Sequence, residues 1–71
     1  MGLENIDDKK LQIVILSNMS QVYINLGLYE DALIYANMAL KLDLNHVKSL
    51  FRKAKSLAFL FNFYEATQIF K

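Results

Sequence analysis

Lys48 and Arg52 stand four residues apart. On a helix they project from one face, a turn apart. Arginine brings a planar fork suited to two-point contact, and lysine a mobile point charge. Together they fit a partner that concentrates negative charge. Each charge-assisted hydrogen bond to such a partner contributes about 1.5–3 kcal/mol. A neutral amide donor belongs in the same groove. Asn18 supplies an amide 34 positions before Arg52, and Gln21 and Lys55 repeat that relation one turn further on. The plainer reading is that Lys48, Arg52, Lys53 and Lys55 are the solvated face of a helix.

Catalytic chemistry finds no footing in the same residues. Glu30 and Asp31 are adjacent rather than facing, and no serine has a histidine at a recognisable motif distance. There is no glycine-rich phosphate loop. His46 is the one histidine and there is no cysteine, so no metal-ligand spacing and no disulfide framework arises. The expectation is a protein that is not an enzyme, with no catalytic residue, cofactor or metal.

Composition narrows the fold. Of the 71 residues, 55% are apolar or aromatic, with no proline and two glycines. That is too hydrophobic for a disordered chain and too poor in turn residues for a β protein. A net charge of +1 does not mark nucleic acid as the main partner. The longest apolar run, Leu57 to Phe61, is far too short to span a bilayer. Met1-Gly2 lacks the serine or threonine a myristoylation signal wants, since Ile6 holds that place. Asn18-Met19-Ser20 matches a glycosylation acceptor only formally, in a helical pattern without a secretory signal. A cytoplasmic protein is expected, with a nuclear one as the alternative.

The elements that must position the cations read as helices. After a polar lead-in, Asp7 and Asp8 favour the positive end of a helix starting near them. Leu11, Val14, Ile15, Met19, Val22, Tyr23 and Leu26 then recur at three- and four-residue steps. Gly27 sits where a left-handed residue closes a helix. A second helix is expected from about Tyr29 to Leu42, with Glu30 and Asp31 in its first turn and Ala32, Leu33, Ala36, Ala39 and Leu40 on one face. Asn45 reads as the cap of a third helix holding Val47, Leu50, Phe51, Ala54, Leu57 and Ala58. Asn62, with Glu65 three residues on, reads as the cap of a fourth, Phe63 to Lys71. Tyr23, Tyr29, Phe63 and Phe70 are expected in the core rather than as a ligand stack.

The first half of the chain overlies the second with a shift of 34 residues and no gap. Leu16 falls on Leu50, Ser20 on Ala54, Tyr29 on Phe63 and Ala32 on Ala66. A fixed period in this range marks stacked helix-turn-helix units. The pattern Leu16, Tyr23, Gly27, Tyr29, Ala32, Ala39, then Leu50, Ala54, Phe63, Ala66, Phe70 resembles the tetratricopeptide repeat, although Leu44 stands where that family usually has a turn proline. The resemblance implies an all-α solenoid fragment of about four helices in two antiparallel hairpins. Residues 1–12 would lead into the first helix, 13–46 form a complete repeat and 47–71 a truncated second one.

Two segments sharpen the likeness. Ser17-Asn18-Met19-Ser20 and Lys48-Ser49-Leu50-Phe51-Arg52-Lys53-Ala54 resemble the dicarboxylate clamp of chaperone adaptors, including the tetratricopeptide domains of large immunophilins. The resemblance implies a co-chaperone type of module that binds the acidic C-terminal peptide of a heat-shock chaperone. Asn18 would bond the terminal carboxylate, and Lys48 and Arg52 the aspartate side chain and nearby backbone. Gln21 and Lys55 would reach upstream residues. The clamp is partial, because two of the family's positions belong to a preceding repeat. The second reading is an assembly repeat whose apolar flanks drive packing. Leu57, Phe59, Leu60, Phe61, Phe63, Ile69 and Phe70 crowd the final sixteen residues, so a fragment of a larger repeat domain that self-associates or exchanges helices is expected.

Overall fold

Gly27 decides where the first helix stops. Its φ of 78° lies in the left-handed region, which costs a residue with a Cβ about 1–2 kcal/mol and glycine almost nothing. Around it the Leu28 N–H donates to the Tyr23 carbonyl at 2.8 Å and the Gly27 N–H to Ile24 at 3.0 Å. These two bonds form a Schellman closure and satisfy carbonyls that the helix end would leave open.

In the computed structural model the backbone is described for residues 3–69, and side chains for 8–62 and 65. Three helices follow one another: α1 Leu3–Asn25, α2 Tyr29–Leu42 and α3 Val47–Ile69. Among the described residues the fold is all-helical. α2 occupies the range expected of it and lies between α1 and α3, which also meet directly over a shorter stretch.

Three expectations need correction. α1 begins at Leu3, so most of the lead-in 1–12 is helical. That stretch has neither glycine nor proline after Gly2, so nothing in it breaks the helix. Asn45 does not cap α3. Its N–H bonds Asp43 Oδ1 at 3.0 Å in an Asx turn, and the capping place falls to His46. The His46 carbonyl accepts the Leu50 N–H at 3.0 Å, and its Nδ1 lies 2.7 Å from Ser49 Oγ. The expected fourth helix is the continuation of α3. Leu57 to Phe63 contains neither glycine nor proline, so the helical ladder runs through Asn62 and the helices number three rather than about four.

Packing uses small residues. Ala32, Ala36, Ala39 and Leu40 of α2 are buried, as their spacing predicts. Among the described residues the other buried ones are Ile13, Ser17, Ser20 and Ile24 on α1 and Ser49 and Ser56 on α3. The Ser20 hydroxyl donates to the Ala32 carbonyl at 2.7 Å, a contact that needs two closely approaching backbones. Ser56 Oγ is buried without a partner among the described residues. Much of the apolar stripe on α1 and α3 faces outward. Leu11, Val14, Ile15, Val22 and Leu26 on α1, and Val47, Leu50, Phe51 and Leu57 on α3, are exposed.

The result is an open arrangement. The radius of gyration is 14.6 Å, against roughly 11 Å for a compact chain of this length. Among the described residues no helix is long and apolar enough to cross a membrane.

Candidate functional site

Where α1 passes the start of α3, Val14, Ser17 and Asn18 face His46, Val47 and Lys48 across a groove of about 230 Å³. The spacing of Val14, Ser17 and Asn18 puts them on one flank of α1. Val47 and Lys48 open α3, where the first N–H groups have no intrahelical acceptor and the dipole favours an anion. The amide of Asn18 and the ammonium of Lys48 are both exposed. Two of the residues singled out from the sequence therefore line one groove.

Arg52 lies one turn beyond Lys48 and is half-buried. It leans onto α1. Its Nη1 donates to Ser17 Oγ and its Nε to Gln21 Oε1 at 3.3 Å. Gln21 in turn donates from Nε2 to Asn25 Oδ1 at 2.9 Å. A guanidinium has five N–H donors, so these contacts fix its orientation and leave most of its donors for a ligand. Arg52 thus adjoins the groove through Ser17, one of the lining residues.

Gln21 serves chiefly as the outer support of Arg52 rather than as a lining residue. Lys55 is half-buried further along α3 and is not part of the groove lining. Residues that sequence reasoning passed over take part instead. Ser17 was read only as part of a segment, yet it is 1% exposed and holds Arg52. His46 was weighed only as a metal ligand. It lines the groove while its ring contacts Ser49. The sequence signal for His46 was its place just before the first residue of α3.

A larger hollow of about 350 Å³ lies by the α1–α2 turn, lined by Gly27, Leu28, Tyr29, Glu30, Asp31 and Leu60. Its two carboxylates are neighbours on the first turn of α2 and do not oppose each other across the space. Aromatic pairs flank this end. Tyr29 stacks on Phe59 with centroids 4.5 Å apart, and Tyr23 stacks on Tyr35 at 5.2 Å. Tyr23 and Tyr29 are half-buried, while the side chains of Phe63 and Phe70 lie outside the described residues. The Tyr23 hydroxyl is pushed above its ordinary pKa of 10.0, first by the charge of the neighbouring Tyr35, then by desolvation, a hydrogen bond to Tyr35 and the charge of Asp31. Among the described residues no group of three His, Cys, Asp or Glu is placed to hold a metal ion.

No family model, curated protein or solved structure matches this chain.

Proposed function

We propose that this chain is a binding module of the tetratricopeptide kind that receives an acidic C-terminal peptide, such as the tail of a heat-shock chaperone. The observation that carries the reading is the shared groove, with exposed Asn18 and Lys48 on its two sides and Arg52 held next to it. Asn18 donates to the terminal carboxylate. Lys48, beside the first N–H groups of α3, takes the adjoining acidic side chain, and Arg52 offers its remaining donors to the backbone carbonyls. Gln21 keeps Arg52 in place, and Lys55 reaches only the upstream part of a longer peptide. Val14 and Val47 give the groove apolar walls. The proposed setting is the cytoplasm, where such adaptors meet chaperones.

The test is an NMR titration with an acidic peptide ending in a free carboxylate, beside the same peptide amidated. Shifts centred on Asn18, Lys48 and Arg52 are expected, weaker after amidation and weaker in salt. Equal shifts with both peptides, or none, refute the clamp. Charge reversal at the exposed Lys48 should abolish binding.

A second reading, an assembly repeat, is favoured by a separate observation: Val47 is 75% exposed, Phe51 65% and Phe61 59%, all on α3. Under this reading the apolar flanks pack on other subunits and the basic groove is solvated. Charge reversal at the exposed Lys48 would then leave assembly intact.

A further inference from the structure

Shifting the chain by 34 residues exposes a mismatch between its halves. On α1 the positions Ile13, Ser17, Ser20 and Ile24 are all buried. Their counterparts on α3 are Val47, Phe51, Ala54 and Ala58, and all four are exposed. The chain after Ala58 continues straight as α3 instead of folding back. With Leu50, Leu57 and Phe61, which are also exposed, these residues form one uncharged strip. At 100° per residue they fall within about 60° either side of Ala54.

The strip reads the same in both directions. Around Ala54, Phe51 and Leu57 are each three residues away, Leu50 and Ala58 four, and Val47 and Phe61 seven. An antiparallel pair of identical helices matches each residue with the one equally far on the other side of the two-fold axis. A helical stripe stepping by three, four and seven has this symmetry about its central residue, so apolar groups fall at every matched position. Here Leu50 meets Ala58, large against small, and Ala54 meets its own copy at the crossing, where a small side chain permits close approach.

We infer that this face is an isologous interface, on which α3 of a second copy of the chain packs antiparallel across Ala54. The inference deepens the assembly reading and does not depend on the peptide reading. Lys48 and Arg52 lie more than 90° around α3 from the centre of the strip, so the groove stays open in the pair.

Area sets the strength. From Val47 to Phe61 the strip runs about 21 Å, and hiding it on two copies removes roughly 800 Å² in all, below the roughly 1,200–2,000 Å² of stable complexes. The accessible surface is 5426 Å², against about 4,500 Å² for a compact chain of this mass. Pairing hides about half of that excess. The pair is therefore weak and forms only at high protein concentration. Lys53 and Lys55 flank the axis and bring like charges together, so salt strengthens the pair, the opposite of its effect on peptide binding.

The test is sedimentation velocity over a range of concentrations at low and high salt, on the native chain and on Ala54→Glu. Glutamate is a good helix former at an exposed position, so far-UV circular dichroism should not change. Two carboxylates buried at the crossing, where Ala54 packs on its own copy, should weaken the dimer at least tenfold, although Lys53 and Lys55 beside the axis recover part of the cost. A nitroxide on Asn62→Cys, in a chain with no other cysteine, should show a spin–spin distance of about 25 Å for the antiparallel pair and about 10 Å for a parallel one. Association that survives Ala54→Glu, or the shorter distance, overturns this interface while leaving assembly through another face. A chain that stays monomeric at millimolar concentration overturns both the interface and the assembly reading.

Discussion

The contact between Arg52 and Ser17 joins the groove to the stability of the fold, and a double-mutant cycle measures it. Arg52 makes two hydrogen bonds to α1, and hydrogen bonds from a charged donor contribute about 1.5–3 kcal/mol each. Arg52 is half-buried, so water competes and the low end applies. Arg52→Ala should cost about 2–3 kcal/mol in all. Ser17→Ala loses one bond but gains the helix preference of alanine, roughly 0.5 kcal/mol, for a net cost near 1 kcal/mol. Without Arg52 the buried serine hydroxyl can turn to the carbonyl four residues back, which limits what removing both partners recovers. The coupling between the two positions should therefore be about 1–1.5 kcal/mol. At roughly 4–8 °C per kcal/mol for a chain of this size, Arg52→Ala should lower the melting temperature by about 10–20 °C. Urea and thermal unfolding of the native chain, both single variants and the double variant, followed by circular dichroism, give all four corners. Arg52→Lys keeps the charge and stem but not the fork, and should recover less than half of the coupling. Free energies that add to within about 0.3 kcal/mol would refute the reasoning.

Two further outcomes follow from the α1–α2 end. Gly27→Ala should destabilise the chain by about 1–2 kcal/mol, because an added Cβ meets nothing within 4 Å and the penalty is the left-handed backbone alone. Gly27→Asn should cost less, and equal urea midpoints for native and alanine chains would argue against the Schellman closure. Tyr23 should ionise above 10.0 and later than a free tyrosine in an ultraviolet titration, and Tyr35→Phe should return it toward that value. The sign of the linkage follows: below pH 10 both folded and unfolded chains keep the proton, and above it the unfolded chain loses it first. Stability therefore falls as pH rises past 10 toward the folded-state value, and a smaller fall in Tyr35→Phe checks this.

Much of the hairpin is legible in the residues. Gly27 marks the end of α1, and the alanine spacing gives both the range and the inner face of α2, because no large side chain competes there. α1 and α3 were harder to orient. Their periodicity correctly marks helices, but several residues on the apolar stripe face water while Ser17, Ser20, Ser49 and Ser56 are buried. Helices that meet on alanine approach so closely that serine fits where leucine does not. Hydrophobicity alone does not encode that distance. Asn62 and Glu65 resemble a capping box, yet capping is a local preference, and it loses where an unbroken run of helix formers supplies a hydrogen bond at every residue. At the candidate groove, Lys48 lines the space while Arg52, one turn on, turns to α1. Which atoms of α1 receive the guanidinium depends on the register between two helices, and no spacing within one helix contains that.

An interface of alanine and serine also shapes how the fold responds to temperature. The heat capacity gained on unfolding grows with apolar surface newly wetted and shrinks with polar surface. In this chain many large apolar groups are wet already, and much of what separates when the helices part is methyl, hydroxyl and backbone. The heat-capacity change per residue should fall below the usual ~12–15 cal/mol/K. Its stability curve is correspondingly shallow, so the fold loses little on cooling and changes gently across the range in which a better-filled core would pass through a pronounced maximum.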